Sequence, residues 1–398
     1  MGRVWVALVG VFMVVMMAAC HPPAGHPPSL PPPPRAALGD QIVLLDDGDQ
    51  EALHSAVSAS IRYWQGQPAD RKLTACGQGY RAGDFLQTLL HFRSLLTTLP
   101  LADLPAAVAR DFTLCPEGDG PPPDEALVTG YYQPRCKGSL VKAAPFICPV
   151  YCLPPDLIQA KTHTPQGVTE QVGRLEKGRL VPYWSRAEIE TQEPLRGNEL
   201  CYLADPVELF LMQVQGSGLV ELADGSLRQL LFAGSNGRPY RSIGRLLVDE
   251  GRLSLAEVDM PRIRRYLQEH RHDRQRILHY NERYIFFTMS VPTPGSGPVG
   301  SMGAVLTPGR SVALDQTLFP LGGLYFLQTE RPVDSPDVPP LWQPLNRFVL
   351  HQDTGAAING GKRLDFFWGS GDYPERAAGL MKQPGRFYLL MLKRELGR

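Results

Sequence analysis

Apolar residues recur at three- and four-residue spacing in two early stretches, Glu51–Gln65 and Ala82–Thr98, and this period predicts two amphipathic helices. Leu101–Phe112 adds another turn or two, and the Leu, Phe and Trp stripes on all of these read as core. From Leu127 onward strand patterns dominate, until helical spacing returns at Ser242–Glu250 and Met260–His270. Within the strand-like part, Gln213, Gln215 and Ser217 alternate with apolar Met212 and Val214, which predicts a strand with all three on one face. That face is either a set of hydrogen-bonding groups for a hydroxyl-rich ligand or a plain solvated surface. Gly216 and Gly218 beside it let a ligand approach the backbone.

Near the C-terminus, His351–Gly371 places Asp353 and Asp365 in a Gly-rich segment that runs into Phe366, Phe367 and Trp368. A carboxylate on an apolar strand is costly unless it is hydrogen-bonded or functional. If Leu364–Trp368 is a strand, burial disfavours the ionised form of Asp365 and raises its pKa, leaving an acid that can donate a proton near neutrality. Upstream, Val312-Ala313-Leu314 ends one strand at Asp315, and a turn through Pro320 and Gly322-Gly323 leads into a second strand, Leu324–Leu327. Asp353 likewise follows the apolar run Phe348-Val349-Leu350.

Three aspartates at such corners, followed by WGSGD and AAGLMKQPGRFYLLML, resemble the three-aspartate domain of peptidoglycan-cleaving enzymes, here over about 300–392. Four further segments narrow the resemblance to the membrane-bound lytic murein transglycosylase A family: Thr129–Pro134 (TGYYQP), Met212–Gly218 (MQVQGSG), Arg238–Gly244 (RPYRSIG) and Asn281–Phe287 (NERYIFF). Each is weak alone, but their order from Thr129 to Leu392 is specific. The resemblance implies a mainly β fold with N-terminal helices: a double-psi β-barrel formed by 39–128 and 291–398, with a smaller β-rich domain, 129–290, inserted into it. A groove between the two is then expected to take a glycan strand.

The activity so implied is cleavage of the β-1,4 bond between N-acetylmuramic acid and N-acetylglucosamine, with the muramic C6 hydroxyl attacking C1 to give a 1,6-anhydro product. Ordinary glycosidases pair an acid with a second carboxylate, whereas one carboxyl group acting first as acid and then as base suffices here. Asp365 matches the family's catalytic aspartate. Asp353 matches a second, which orients the site and binds sugar hydroxyls or caps the Gly-rich turn. Asp315 reads as a structural turn residue. Gln213, Gln215 and Ser217 would meet sugar hydroxyl and N-acetyl groups, and Tyr131, with Tyr132, offers a stacking platform or packs as core. The turn after Asp353 departs from the family pattern, with Ala356 where Gly is usual and Asn359 where Lys is frequent. No cofactor and no metal are implied, and partners in a cell-wall synthesis or division complex are an open expectation. Two other classes fit less well. Asp353-Thr354-Gly355 is also the triplet of aspartic proteases, which need two such aspartates, and a non-catalytic cell-wall binding protein has no need of Asp365.

The N-terminus bears on location. Arg3, the apolar run Val4–Ala19 and the boundary Met17-Ala18-Ala19-Cys20 form a lipoprotein signal (1–19) with Cys20 as the lipidated residue. The run is short for a membrane span of ~20 residues. Behind it, 20–38 is a Pro-rich, extended spacer, and resemblance to enterobacterial lipoprotein sorting signals, with His21 in place of Asp, implies the outer membrane with the body facing the periplasm. Forty basic and forty acidic residues give a formal net charge of zero, which offers no electrostatic case for nucleic acid. With Cys20 set aside, six cysteines remain, an even number that suggests up to three disulfides in an exported chain, with free thiols or an irregularly spaced zinc cluster as the other readings.

Overall fold

The computed structural model describes residues 42, 44–116, 125–164, 167–255, 258–334 and 340–394; Cys20, the signal segment and the Pro-rich spacer lie outside the described residues. Gln41–Arg398 forms one compact unit.

Six strands close into a barrel. In order around the ring these are Leu324–Pro332, Trp342–Asp353, Ser311–Ala313, Arg363–Ser370, Ala126–Gln133 and Lys382–Leu392, and the last pairs back onto the first. Phe112–Pro116 adds a seventh strand on the outer side of Lys382–Leu392. Most neighbours are antiparallel, but Ser311–Ala313 runs parallel to Trp342–Asp353, and Ala126–Gln133 parallel to Arg363–Ser370. Closure removes the open edges of a sheet, so the backbone polar groups here are satisfied within the ring. The strand Ala126–Gln133 runs across the expected boundary at 128/129 and belongs whole to the barrel.

The two early helices form as the periodicity predicts, Gln50–Gln65 and Ala82–Thr98, and a third covers Leu104–Asp111. Asp49 caps the first by accepting from Ala52 N at 2.7 Å. Their apolar stripes share one core with the barrel: Trp64 stacks on Phe85, and its indole N–H donates to Gly322 O at 3.0 Å. The segment before the first helix is held by a buried ion pair, with Arg310 donating to both oxygens of Asp46 at 2.6 and 2.8 Å. Taking one partner away would strand a buried charge, so this pair fixes where the helices sit.

Past Pro134 the chain leaves the barrel for a second sheet of six strands, ordered Ile285–Ser290, Leu227–Ser235, Ser217–Glu221, Arg135–Ser139, Glu199–Leu203 and Cys148–Tyr151. A three-stranded sheet, Ile158–Thr164, Gly167–Glu176 and Arg179–Pro182, stands beside it. Helices Pro206–Gln215, Ile243–Asp249, Met260–Glu269 and Arg271–Tyr280 bury a separate apolar cluster around Phe210, Leu247 and Leu267.

One expectation is corrected. Gln213 and Gln215 do not lie on a strand: Pro206–Gln215 is a helix, capped by the Asp205 side chain, with Pro206 in its first turn and Gly216 at φ +77° closing it. Val207, Phe210, Leu211 and Val214 keep helical spacing, and this longer period overrides the short alternation at its end. Only Ser217 begins a strand. As for the cysteines, one bridge forms among the described residues, Cys76 to Cys115, tying the hairpin Lys72–Arg81 to Phe112–Pro116, while Cys136, Cys148, Cys152 and Cys201 are thiols. Cys201 pairs in register with Val150 and Cys148 with Leu203, an offset that keeps the two sulfurs from facing each other.

Candidate active site

The barrel register sets two carboxyl groups side by side. Ala313 is the partner of Asp353 on one side and of Asp365 on the other, so the two aspartates flank it about 10 Å apart at their Cα atoms, two strand spacings. On the far side of Asp365, Thr129 is its parallel register partner, followed by Tyr131 opposite Phe367. Side chains two apart on a strand share a face, which places Thr129, Tyr131, Arg363 and Asp365 together.

Asp353 is held by several donors. Its Oδ1 accepts from Ser301 N at 3.0 Å and Ser301 Oγ at 3.1 Å, and its Oδ2 accepts from Tyr131 Oη at 3.1 Å. Burial still raises its pKa, but these bonds oppose the shift. Among the described residues Asp365 has a single donor, Thr129 Oγ1 at 2.9 Å. Burial drives its pKa up to about 6; the Thr129 bond and the nearby Arg363 charge oppose that rise, and the Asp353 charge adds to it. Tyr131, half-buried and facing both carboxyls, is raised well above the usual phenol value by desolvation and by their charges, and stays a donor. Thus one carboxyl is braced by hydrogen bonds and the other sits poised to hold a proton near neutrality. No hydrogen bond joins the two among the described residues, which is unlike the proton-sharing pair of an aspartic protease.

Both open onto a groove of about 1150 Å³ between the barrel and the second sheet with its helices. Tyr131, Gln213, Gln215 and Ser217 line it along with Asp315. Gln213 is buried, with Oε1 unpartnered and Nε2 donating to Ile285 O at 3.4 Å, while Gln215 Oε1 accepts from Tyr132 N at 3.0 Å. The helix end and the strand start therefore bring together the three residues that the alternation had grouped, by another route. Tyr132 points the other way and is buried. Asp315 accepts from Thr317 N, Thr317 Oγ1 and Gly360 N, tying its own turn to the loop after Asp353, and these bonds hold its carboxyl below the usual range. Among the described residues no cluster of three His, Cys, Asp or Glu side chains is placed to hold a metal ion.

Four residues escaped the sequence reading. Thr129 lay inside a quoted motif without a role, and Arg363 stands two before Asp365, a spacing that puts both on one strand face. Tyr240 likewise lay inside the quoted segment Arg238–Gly244 without a role, and Ser301 had no local signal, since only the fold brings its loop to the groove.

A closed barrel with a second sheet against it, and a proton-holding carboxyl beside a braced one in the groove between, defines a class of groove proteins built for carboxyl chemistry on an extended ligand. Residues 127–288 match the MltA specific insert domain and residues 310–391 the 3D domain. The membrane-bound lytic murein transglycosylase A of Escherichia coli strain K12 is 32% identical over 274 residues, which is 66% of this chain and 64% of that protein. The solved lytic transglycosylase LtgG of Burkholderia pseudomallei is 33% identical, covering 88% of this chain and 94% of that one, with a TM-score of 0.50. A membrane-bound lytic murein transglycosylase from Agrobacterium tumefaciens shares the fold at a TM-score of 0.72, with 24% identity over 88% of this chain and 95% of that one. The chain belongs to the membrane-bound lytic murein transglycosylase A family. It spans 64% of the length of the Escherichia coli relative.

Proposed function

We propose that the protein is a peptidoglycan lytic transglycosylase that cleaves the β-1,4 bond between N-acetylmuramic acid and N-acetylglucosamine, with Asp365 as its acid and base. The observation that carries this reading is the contrast between the carboxyls: among the described residues Asp365 has one donor and a pKa pushed up to about 6 by burial, whereas Asp353 is braced by Ser301 and Tyr131. Protonated Asp365 gives its proton to the glycosidic oxygen as the C1–O bond breaks. The C6 hydroxyl oxygen of the same muramic residue then bonds to C1, and its proton returns to the Asp365 carboxylate. No water is consumed, so no second carboxylate is needed as base or nucleophile. Asp353 orients the site and accepts from sugar hydroxyls, and Gln213, Gln215, Ser217 and Tyr131 contact the glycan. Asp315 is structural.

The same reading covers organisation and location. The barrel is a double-psi barrel built on 39–128 and 291–398 together with the end of the strand Ala126–Gln133, and the rest of 129–290 is an inserted domain, a reading supported by the chain leaving the barrel at Pro134 and returning after Ile285–Ser290. The body is tethered to the outer membrane by lipid on Cys20 and faces the periplasm, supported by the MAAC boundary and by relatives named as membrane-bound.

Mass spectrometry of fragments released from purified peptidoglycan tests the reaction. Products ending in 1,6-anhydromuramic acid are expected; reducing ends carrying the extra water would make the protein a hydrolase, and no release at all would leave a glycan-binding protein.

A further inference from the structure

One basic side chain in the groove lacks a partner. Of the cations that line it, Arg186 pairs with Glu190 at 3.0 Å, Arg245 with Asp249 at 2.8 Å, Arg283 donates to Arg238 O at 3.2 Å and Lys382 to Leu255 O at 3.0 Å. Arg363 makes no hydrogen bond or ion pair with a described residue, and its Nε is buried without an acceptor. A guanidinium placed against protein and left unpaired carries a desolvation cost that an incoming anion can recover. Arg363 is also well positioned: it sits on the same strand face as Asp365, opposite Leu127 in register, and its charge acts on both Asp365 and the phenol of Tyr240, which also lines the groove. The acidic groups facing this part of the groove are Asp365 and Asp353, each already served by other donors.

We propose that Arg363 is the subsite for a carboxylate carried by the glycan, so that the groove selects strands whose sugars bear acidic substituents over neutral ones of the same length. This rests on the groove being a glycan site as read above. The planar guanidinium matches a carboxylate in a two-point fork, which a neutral acetamido or hydroxyl group cannot supply. Two sources of that carboxylate are chemically equivalent at the guanidinium: the lactyl group of a peptide-free muramic residue and the acidic groups of an attached peptide. The pairing also has a consequence for chemistry. Arg363 holds the Asp365 pKa down while it is unpaired; neutralised by a substrate carboxylate, it no longer does so, and Asp365 keeps its proton better in the complex than in the free protein. An acidic substrate thereby increases the fraction of Asp365 that is protonated at the bond it presents, and a neutral one does not.

The test measures binding in an Asp365→Asn protein, which cannot turn over, to three soluble probes: chitohexaose, a peptide-free muramic-containing glycan, and the same glycan bearing peptide stems. Adding Arg363→Gln should weaken one or both acidic probes about tenfold and leave chitohexaose within about twofold, with Arg363→Lys in between. Whichever acidic probe loses affinity identifies the source of the carboxylate. The difference should shrink in high salt, as a screened ion pair requires. Equal losses for all three probes, or no loss for either acidic one, overturn the proposal. If the Asp365→Asn protein with Arg363 intact binds none of the probes, the glycan-groove reading itself falls and takes the subsite with it.

Discussion

Thr129 Oγ1 donates to Asp365 Oδ1 at 2.9 Å across two parallel strands on which the residues are register partners. The bond favours the ionised carboxylate and so restrains a pKa that burial has pushed up to about 6. Thr129→Val keeps the shape and removes the donor. The acid should then hold its proton to higher pH, moving the basic limb of the kcat profile upward by about one pH unit. The pH–rate profile of wild type, with activity falling as pH rises through about 6, is the control. An unshifted limb in the variant would assign that limb to another group.

Asp365→Asn removes the only group asked to exchange a proton. Turnover should fall by ~10²–10⁴ or more, with glycan binding retained. The same variant should be more stable at neutral pH. The folded pKa of Asp365 is raised, so its stabilising contribution is complete below the unfolded value of about 3.9 and is lost as pH rises through about 6. Deleting the ionisable group recovers up to about 3 kcal/mol at pH 7 and nothing near pH 3. Thermal unfolding followed at both pH values reads this difference, and a variant that gains equally at both would owe its stability to something other than proton linkage.

Tyr131→Phe and Asp353→Asn probe the braced carboxyl. The phenol bond to Asp353 is 3.1 Å long, and two further donors come from Ser301, so losing Tyr131 Oη leaves Asp353 partly held. Tyr131→Phe should lower kcat by about tenfold and Asp353→Asn by more, each less than Asp365→Asn, because orientation and hydrogen bonding are lost but the proton is not. Steady-state kinetics on one glycan substrate orders the three.

How far the chain could be read without a structure depended on the range of the contacts involved. The helices Gln50–Gln65 and Ala82–Thr98 were legible because their period is local, and Asp365 was legible as a high-pKa acid because its neighbours Leu364 and Phe366 are adjacent in sequence. Gln213 and Gln215 were misread because a short alternation at the end of a helix imitates a strand, although Pro206 and Gly216 mark the helix ends. The bracing of Asp353 was invisible: Ser301 and Tyr131 come from distant parts of the chain and meet only when the barrel closes. The partners of the cysteines were hidden for the same reason, since register decides which sulfurs can meet.

Cys20→Ala should block incorporation of labelled palmitate and release the mature body from membranes. The motive is the MAAC boundary with its Pro-rich spacer behind it. A Cys20→Ala protein that stays in the pellet after a carbonate wash has some other anchor.

Gly130 stands between Thr129 and Tyr131, and a side chain added there would point toward the helix Asp372–Leu380. A Cβ there would lie 2.6 Å from Trp368 Nε1 and 2.9 Å from the Ala378 Cα, and the second of these is backbone that cannot swing aside. Gly130→Ala must therefore push its strand and the helix apart, an overpacking cost of about 1–3 kcal/mol. The helix also carries Glu375, which binds Arg264 at 2.5 Å, and Arg264 holds Glu208 at 3.1 Å on the helix that ends in Gln213 and Gln215. A shift at Gly130 thus reaches both walls of the groove, and on its own strand it displaces the Thr129 donor from Asp365 and the Tyr131 donor from Asp353. The variant should unfold at lower denaturant concentration and, at temperatures where it remains fully folded, should still lose about tenfold or more in kcat, since small misplacements of catalytic groups are costly. Full activity in a folded Gly130→Ala protein would show that the strand tolerates displacement and that the two donors do not set the site.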